Sequence, residues 1–94
     1  MRVIAGSAKG RKLKTLEGMD VRPTTDKVKE AIFSAIQFDL PGAVVLDLFA
    51  GSGQMGIEAL SRGAAGAVFV DNSSRSLRMT QENLESVQLA DQAQ

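Results

Sequence analysis

The segment Gly51-Ser52-Gly53-Gln54-Met55-Gly56 is a glycine loop flanked by two carboxylates, Asp47 four residues before it and Asp71 twenty residues after Gly51. Glycines allow a backbone to turn sharply from strand to helix and let a ligand approach with no Cβ in the way. The string matches the dinucleotide fingerprint G-x-G-x-x-G, and Asp71 stands where an acid would accept ribose hydroxyls. Asp47 points to a different ligand. A carboxylate beside a helix N-terminus repels the pyrophosphate that such a terminus would otherwise attract. S-adenosylmethionine has no phosphate and brings an α-ammonium and a sulfonium, both attracted to a carboxylate. The loop therefore reads as a methyl-donor site, with a dinucleotide site as the alternative; Asp71 can take both ribose hydroxyls in either case.

These residues need a strand to carry Asp47 and a helix to follow the glycines. Ala43 to Phe49 is a short, nearly continuous apolar run, which predicts a strand buried on both faces. Gln54 to Arg62 predicts an amphipathic helix with Ile57 and Leu60 inward and Gly63 at the C′ position. Ala64 to Val70 predicts a second strand ending at Asp71, and Asn72, Ser73 or Ser74 can cap a further helix bearing Leu77, Leu84 and Val87. Strands alternating with helices predict an α/β fold with a parallel, doubly wound sheet and a ligand site at the carboxyl ends of the strands.

Upstream, Arg2 to Ala5 and Lys12 to Leu16 read as the strands of a basic β-hairpin turned by Gly6 and Gly10. Arg22-Pro23 favours extended backbone, and Thr24 or Thr25 can cap a helix with an apolar stripe of Val28, Ile32, Phe33 and Ile36. Lys27, Lys29 and Glu30 fall off that stripe. The four aromatics, Phe33, Phe38, Phe49 and Phe69, lie in apolar runs and read as core.

With 94 residues the chain can form one small domain. Cysteine and histidine are both absent, which excludes a disulfide framework, the usual zinc ligands and the commonest general base. No metal site is expected. No apolar run is long enough to span a membrane and no secretory leader is visible, so a cytoplasmic address is the expectation. The net charge is zero but segregated: Arg2, Lys9, Arg11, Lys12 and Lys14 precede the first acid, Glu17. From Ala31 onward seven acidic residues face three basic ones, as expected of a polyanion-binding arm on an acidic body or of a solvated basic face. Only two strands are predicted for the sheet, fewer than a complete fold of this kind needs, so the chain is expected to be part of a larger unit.

The run Val45-Leu46-Asp47-Leu48-Phe49-Ala50-Gly51-Ser52-Gly53, continued by Gly56-Ile57-Glu58-Ala59-Leu60-Ser61-Arg62-Gly63-Ala64, resembles the RsmD family of bacterial rRNA guanine-N2 methyltransferases. So do Arg2-Val3-Ile4-Ala5-Gly6, Gly10-Arg11-Lys12-Leu13 and the segment from Arg22-Pro23-Thr24-Thr25 to Phe33. The resemblance implies a class I methyltransferase Rossmann-like sheet, truncated and preceded by the hairpin. It further implies methyl transfer from S-adenosylmethionine to a guanine N2 of 16S rRNA, with rRNA or an assembling small subunit as partner. Asp47, Gly51 and Gly53 would line the methionine end, with Ala50 and Ser52 in the same cofactor-binding loop, and Asp71 would hold the ribose. Arg11, Lys12 and Arg22 would face RNA. Residues 1–23 then form an RNA-facing arm and residues 24–94 the N-terminal half of the cofactor domain. The family's Asn/Asp-Pro-Pro-Tyr/Phe motif is missing: the prolines are Pro23 and Pro41, and there is no tyrosine. No catalytic residue is therefore assigned, and the chain alone is expected to be inactive. The alternatives are a non-catalytic RNA-binding module and a dinucleotide-dependent oxidoreductase.

Overall fold

The computed structural model of the chain describes residues 2–14, 26–48 and 53–93. Its regular elements are α1 (Asp26–Ala35), β1 (Val44–Leu48), α2 (Gln54–Ser61), β2 (Gly66–Val70) and α3 (Ser74–Ser86), followed by a 3-10 turn over Ala90–Gln92. The β1 and β2 strands pair in parallel, with Val45 opposite Ala67 and Asp47 opposite Phe69. Ala93 makes an isolated parallel bridge to Ala67, so the chain leaving α3 returns alongside β2. The predicted order of strand, helix, strand and helix is the order found.

Helix ends follow the expected chemistry. Arg62 caps α2, and Gly63 at φ +107° returns its N–H to the Leu60 carbonyl while the Ala64 N–H reaches Ala59. This paired closure suits glycine because the C′ residue is left-handed. Among the three capping candidates for α3, Ser73 is the cap, its Oγ accepting from the Ser76 N–H at 3.3 Å. The proposed caps Thr24 and Thr25 lie outside the described residues.

One apolar cluster unites the pieces. Val3, Ala8 and Leu13 from the N-terminal segment pack with Phe33, Ile57, Leu60, Phe69, Leu84 and Val87. Complete burial of side chains such as Ile57 and Leu84 contributes roughly 1.5–3 kcal/mol each.

The expected N-terminal hairpin narrows to one antiparallel bridge, Arg2 with Lys12, with the Val3 N–H bonded to the Arg11 carbonyl and the Gly10 N–H to the Val3 carbonyl. Other backbone donors of the segment are met from outside it: Ile4 and Ala5 donate to Glu58, Ser7 and Ala8 to Ser61, and Lys14 to Asn83. Three expectations are corrected. In β1, Val44, Leu46 and Leu48 are 74%, 59% and 58% exposed, because α2 covers only the face that carries Val45 and Asp47. The α1 stripe is also reversed. Phe33 is buried, but Val28, Ile32 and Ile36 are exposed and Lys29 is wholly enclosed. Lys29 and Phe33 lie one helical turn apart, and that face meets the N-terminal segment and α2. Finally, Phe38 is 91% exposed; Phe33 and Phe69 are core, and Phe49 lies outside the described residues.

Candidate cofactor site

Asp47 is carried on the covered face of β1, directly beside Phe69 of β2. Its Oδ2 accepts the Gly56 N–H at 3.0 Å. With Gly53 as the N-cap, Gly56 is the N3 residue, so the strand carboxylate satisfies one of the orphan donors of the α2 N-terminus. Burial pushes the Asp47 carboxyl above its ordinary value; the Gly56 N–H opposes that shift, and the negative charge of Asp71 adds to it. An ionised Asp47 is therefore electrostatically under-compensated and would gain from a cation.

Gly53 and Gly56 are needed for different reasons. Gly53 is buried in a left-handed conformation, φ +84°, and a Cβ there would come within 2.8 Å of the Thr80 methyl. Gly56 has an ordinary helical backbone, but a Cβ would strike the Phe69 ring, at 2.6 Å from Cζ, and approach Asp47 Oδ2 at 3.2 Å. The third glycine of the motif thus serves helix-to-strand packing.

Asp71 follows the last residue of β2 at the carboxyl end of the sheet. Its Oδ1 accepts the Ser73 N–H at 2.9 Å, a local turn that fixes the side chain immediately before α3 begins. Asp47 and Asp71 thus stand near the carboxyl ends of adjacent parallel strands, where open α/β sheets bind ligands. Ala50, Gly51 and Ser52 of the expected loop lie outside the described residues, as does Arg22.

Arg11 and Lys12 are both exposed on the N-terminal segment. Lys14 pairs with Glu82 at 3.6 Å across the surface, an exposed ion pair worth about 0–1 kcal/mol. Among the described residues no group of His, Cys, Asp and Glu could hold a metal, and no helix is long and apolar enough to cross a membrane.

The motif reading missed several polar residues. Gln54, the first residue of α2, is buried and its Oε1 has no hydrogen-bond partner among the described residues. Glu58 is completely enclosed and accepts from two backbone N–H groups as well as from Arg62. The sequence signal was available in Glu58 and Arg62, an i,i+4 pair within a helix read as amphipathic. An apolar groove of about 340 Å³ runs between α1 and β1, lined by Ile32, Ile36, Leu46, Leu48 and Met55, with Asp47 at its wall.

The family described as "Conserved hypothetical protein 95" matches residues 1–94. The Bacillus subtilis protein YlbH is 52% identical over the whole chain, which covers 51% of that relative. Ribosomal RNA small subunit methyltransferase D of Escherichia coli K12 is 46% identical over 71 residues, 76% of this chain and 36% of the relative. The solved structure of Escherichia coli yhhF has a TM-score of 0.87 at 37% identity, covering all of this chain and 50% of that one. The chain thus spans about half or less of the relatives it matches, and its sheet and helices are a truncated class I methyltransferase fold. With that fold, the strand-end carboxylates and a match along its full length, the chain belongs to the RsmD family and corresponds to the N-terminal part of its members.

Proposed function

We propose that the protein in its full length is a cytoplasmic rRNA methyltransferase that transfers a methyl group from S-adenosylmethionine to N2 of a guanine in small-subunit rRNA. In this reading the chain carries the cofactor-binding half and an RNA-facing arm. The observation that carries it is the desolvated Asp47 carboxylate, held by the Gly56 N–H at 3.0 Å and close enough to Asp71 to feel its charge.

The donor set fits this cofactor. Two carboxylates of like sign favour a ligand that brings positive charge and hydroxyl donors, and they disfavour a pyrophosphate. When bound, S-adenosylmethionine supplies an electrophilic methyl group on sulfonium. Asp47 would accept from the α-ammonium, while the Gly56 N–H keeps its carboxylate in place. Asp71 would accept from the ribose hydroxyls, oriented by the Ser73 N–H. The unpartnered Gln54 oxygen is a further acceptor at the start of α2. Gly53 allows close backbone approach.

The names of relatives such as ribosomal RNA small subunit methyltransferase D support rRNA as the substrate. The exposed Arg11 and Lys12 would neutralise phosphates and position the RNA without reading its sequence. Removing either charge should flatten the salt dependence of RNA binding by about 0.7 in log–log slope. Arg22 is proposed for the same role. No residue of this chain is assigned to the transfer step, and the chain alone is expected to be inactive.

Calorimetry with S-adenosylmethionine, S-adenosylhomocysteine and NAD tests the cofactor. Binding of the two sulfur ligands without NAD is expected. NAD binding without S-adenosylhomocysteine binding would replace this reading with the oxidoreductase one.

A further inference from the structure

We infer that Glu58, braced by Lys29 and Arg62, is a positioning site that fixes the basic arm against the helix bearing the cofactor loop. The inference rests on the RNA-facing reading of that arm. Glu58 is completely buried, and its two oxygens diverge to separate backbone donors: Oε1 accepts the Ile4 N–H at 2.8 Å and Oε2 the Ala5 N–H at 3.0 Å. Arg62 Nε donates to Oε2 at 2.8 Å, and Lys29 Nζ lies 3.4 Å from Oε1 while donating to the Arg2 carbonyl at 3.0 Å. The guanidinium of Arg62 also stacks 4.8 Å from the centre of the Phe33 ring. One carboxylate thereby ties the arm, α1 and α2 together.

One helical turn further on, Ser61 repeats the connection. Its Oγ accepts the Ala8 N–H at 2.9 Å and donates to the Ala5 carbonyl at 2.6 Å, and its own carbonyl accepts the Ser7 N–H at 2.7 Å. The arm passes so close that a Cβ on Gly6 would overlap the Ser61 carbonyl. So α2 carries the cofactor loop at its N-terminal end and the seat of the arm on its second half. Arg11 is held in turn, since the Val3 N–H bonds its carbonyl at 2.9 Å. A buried charge network of this kind specifies one geometry, because any other leaves a charge unpaired away from water. For an enzyme that must present one nucleobase to one methyl group, a fixed distance between the phosphate-binding arm and the donor is useful.

The test uses the full-length protein with Glu58→Gln, which offers one acceptor oxygen in place of two and sets an NH₂ group against donors. Hydrogen exchange at Ile4 and Ala5 should accelerate about tenfold, with Gly56 unaffected. The KM for rRNA should rise about fivefold, with kcat at saturating RNA and the S-adenosylhomocysteine affinity within about twofold of the parent. A purely structural role would instead lower kcat and the cofactor stoichiometry together at unchanged KM, and that result overturns the inference. So does unchanged exchange at Ile4 and Ala5. If Glu58→Gln does not fold, Ser61→Ala and Lys29→Met, which leave the carboxylate in place, should show the same split more weakly, and unchanged KM in both overturns it. Arg11→Ala with Lys12→Ala separates the two readings. If that pair leaves the RNA KM unchanged, the RNA-facing reading fails and takes this inference with it; if the pair raises KM and Glu58→Gln does not, only the positioning role fails.

Discussion

The Oδ2 atom of Asp47 accepts the Gly56 N–H at 3.0 Å, joining the covered face of β1 to the first turn of α2. The bond orients the carboxylate, but burial still raises its pKa above the ordinary value of 3.8, and Asp71 adds to the rise. A raised carboxyl stabilises the folded state most when protonated, below its ordinary value, and that contribution is lost as pH rises through the folded-state value. Asp47→Asn keeps an oxygen for the Gly56 N–H and never ionises. It should therefore be at least as stable as the parent at pH 7, with any advantage shrinking on acidification toward the ordinary value. Its affinity for S-adenosylmethionine should fall by about 10–100-fold, the worth of one charge-assisted hydrogen bond. Thermal unfolding across pH and titration calorimetry check both; full cofactor affinity in Asp47→Asn would remove Asp47 from the site.

What the sequence discloses here depends on whether a residue acts through its neighbours in the chain or across the fold. Both strands, the α2 and α3 helices, the Gly63 cap and the Ser73 cap rest on local chemistry, and they are legible. Glu58 gives only half a signal: its i,i+4 partner Arg62 is visible, whereas Ile4 and Ala5 lie more than fifty residues away in the chain. Lys29 escapes the pattern because helical periodicity identifies an apolar stripe without saying which face meets the core. The face of Val28, Ile32 and Ile36 opens instead onto the groove beside β1 and onto solvent. For the same reason the apolar run of β1 suggests burial on both faces, while the helices of this chain supply only one.

Gly56→Ala should destabilise the fold although alanine is the better helix former. The helix preference favours alanine by about 1 kcal/mol. Against it, the new Cβ would overlap the Phe69 ring, and overpacking of this kind costs about 1–3 kcal/mol. The clash should prevail by about 1 kcal/mol. Phe69→Leu in the same chain should recover part of the loss, since the two positions share one space. Denaturant titration of the two single variants and the double variant gives the coupling, and strict additivity would contradict the proposed clash.

Asp71 offers a way to separate ribose recognition from charge. Asp71→Asn retains an oxygen for the Ser73 N–H, so α3 should start where it does now. It loses the two-oxygen acceptor proposed for the ribose hydroxyls, and affinity for S-adenosylhomocysteine should fall by about tenfold or more. An analogue lacking both ribose hydroxyls should bind parent and variant alike. Equal losses for the analogue and the parent ligand would mean that Asp71 acts by charge or structure and leaves the ribose to another group.

Gln88 is the one non-glycine residue with positive φ among the described residues, at +63°. It follows the Val87 cap of α3, and its N–H bonds the Glu85 carbonyl at 3.1 Å while the Leu89 N–H returns to Leu84 at 2.9 Å. This is the closure that Gly63 makes after α2, here imposed on a side chain that disfavours the left-handed region by about 1 kcal/mol. Gln88 is exposed, and among the described residues its side chain makes no hydrogen bond that the change would surrender. Glycine also gains freedom in the unfolded chain, which offsets part of the relief. Gln88→Gly should therefore stabilise by up to about 1 kcal/mol, read as a rise in denaturant midpoint at constant m-value. Gln88→Ala, which keeps the Cβ in the left-handed region, should give no such gain. A fall in midpoint for Gln88→Gly would mean that the Gln88 side chain makes a contribution to folding larger than the backbone relief.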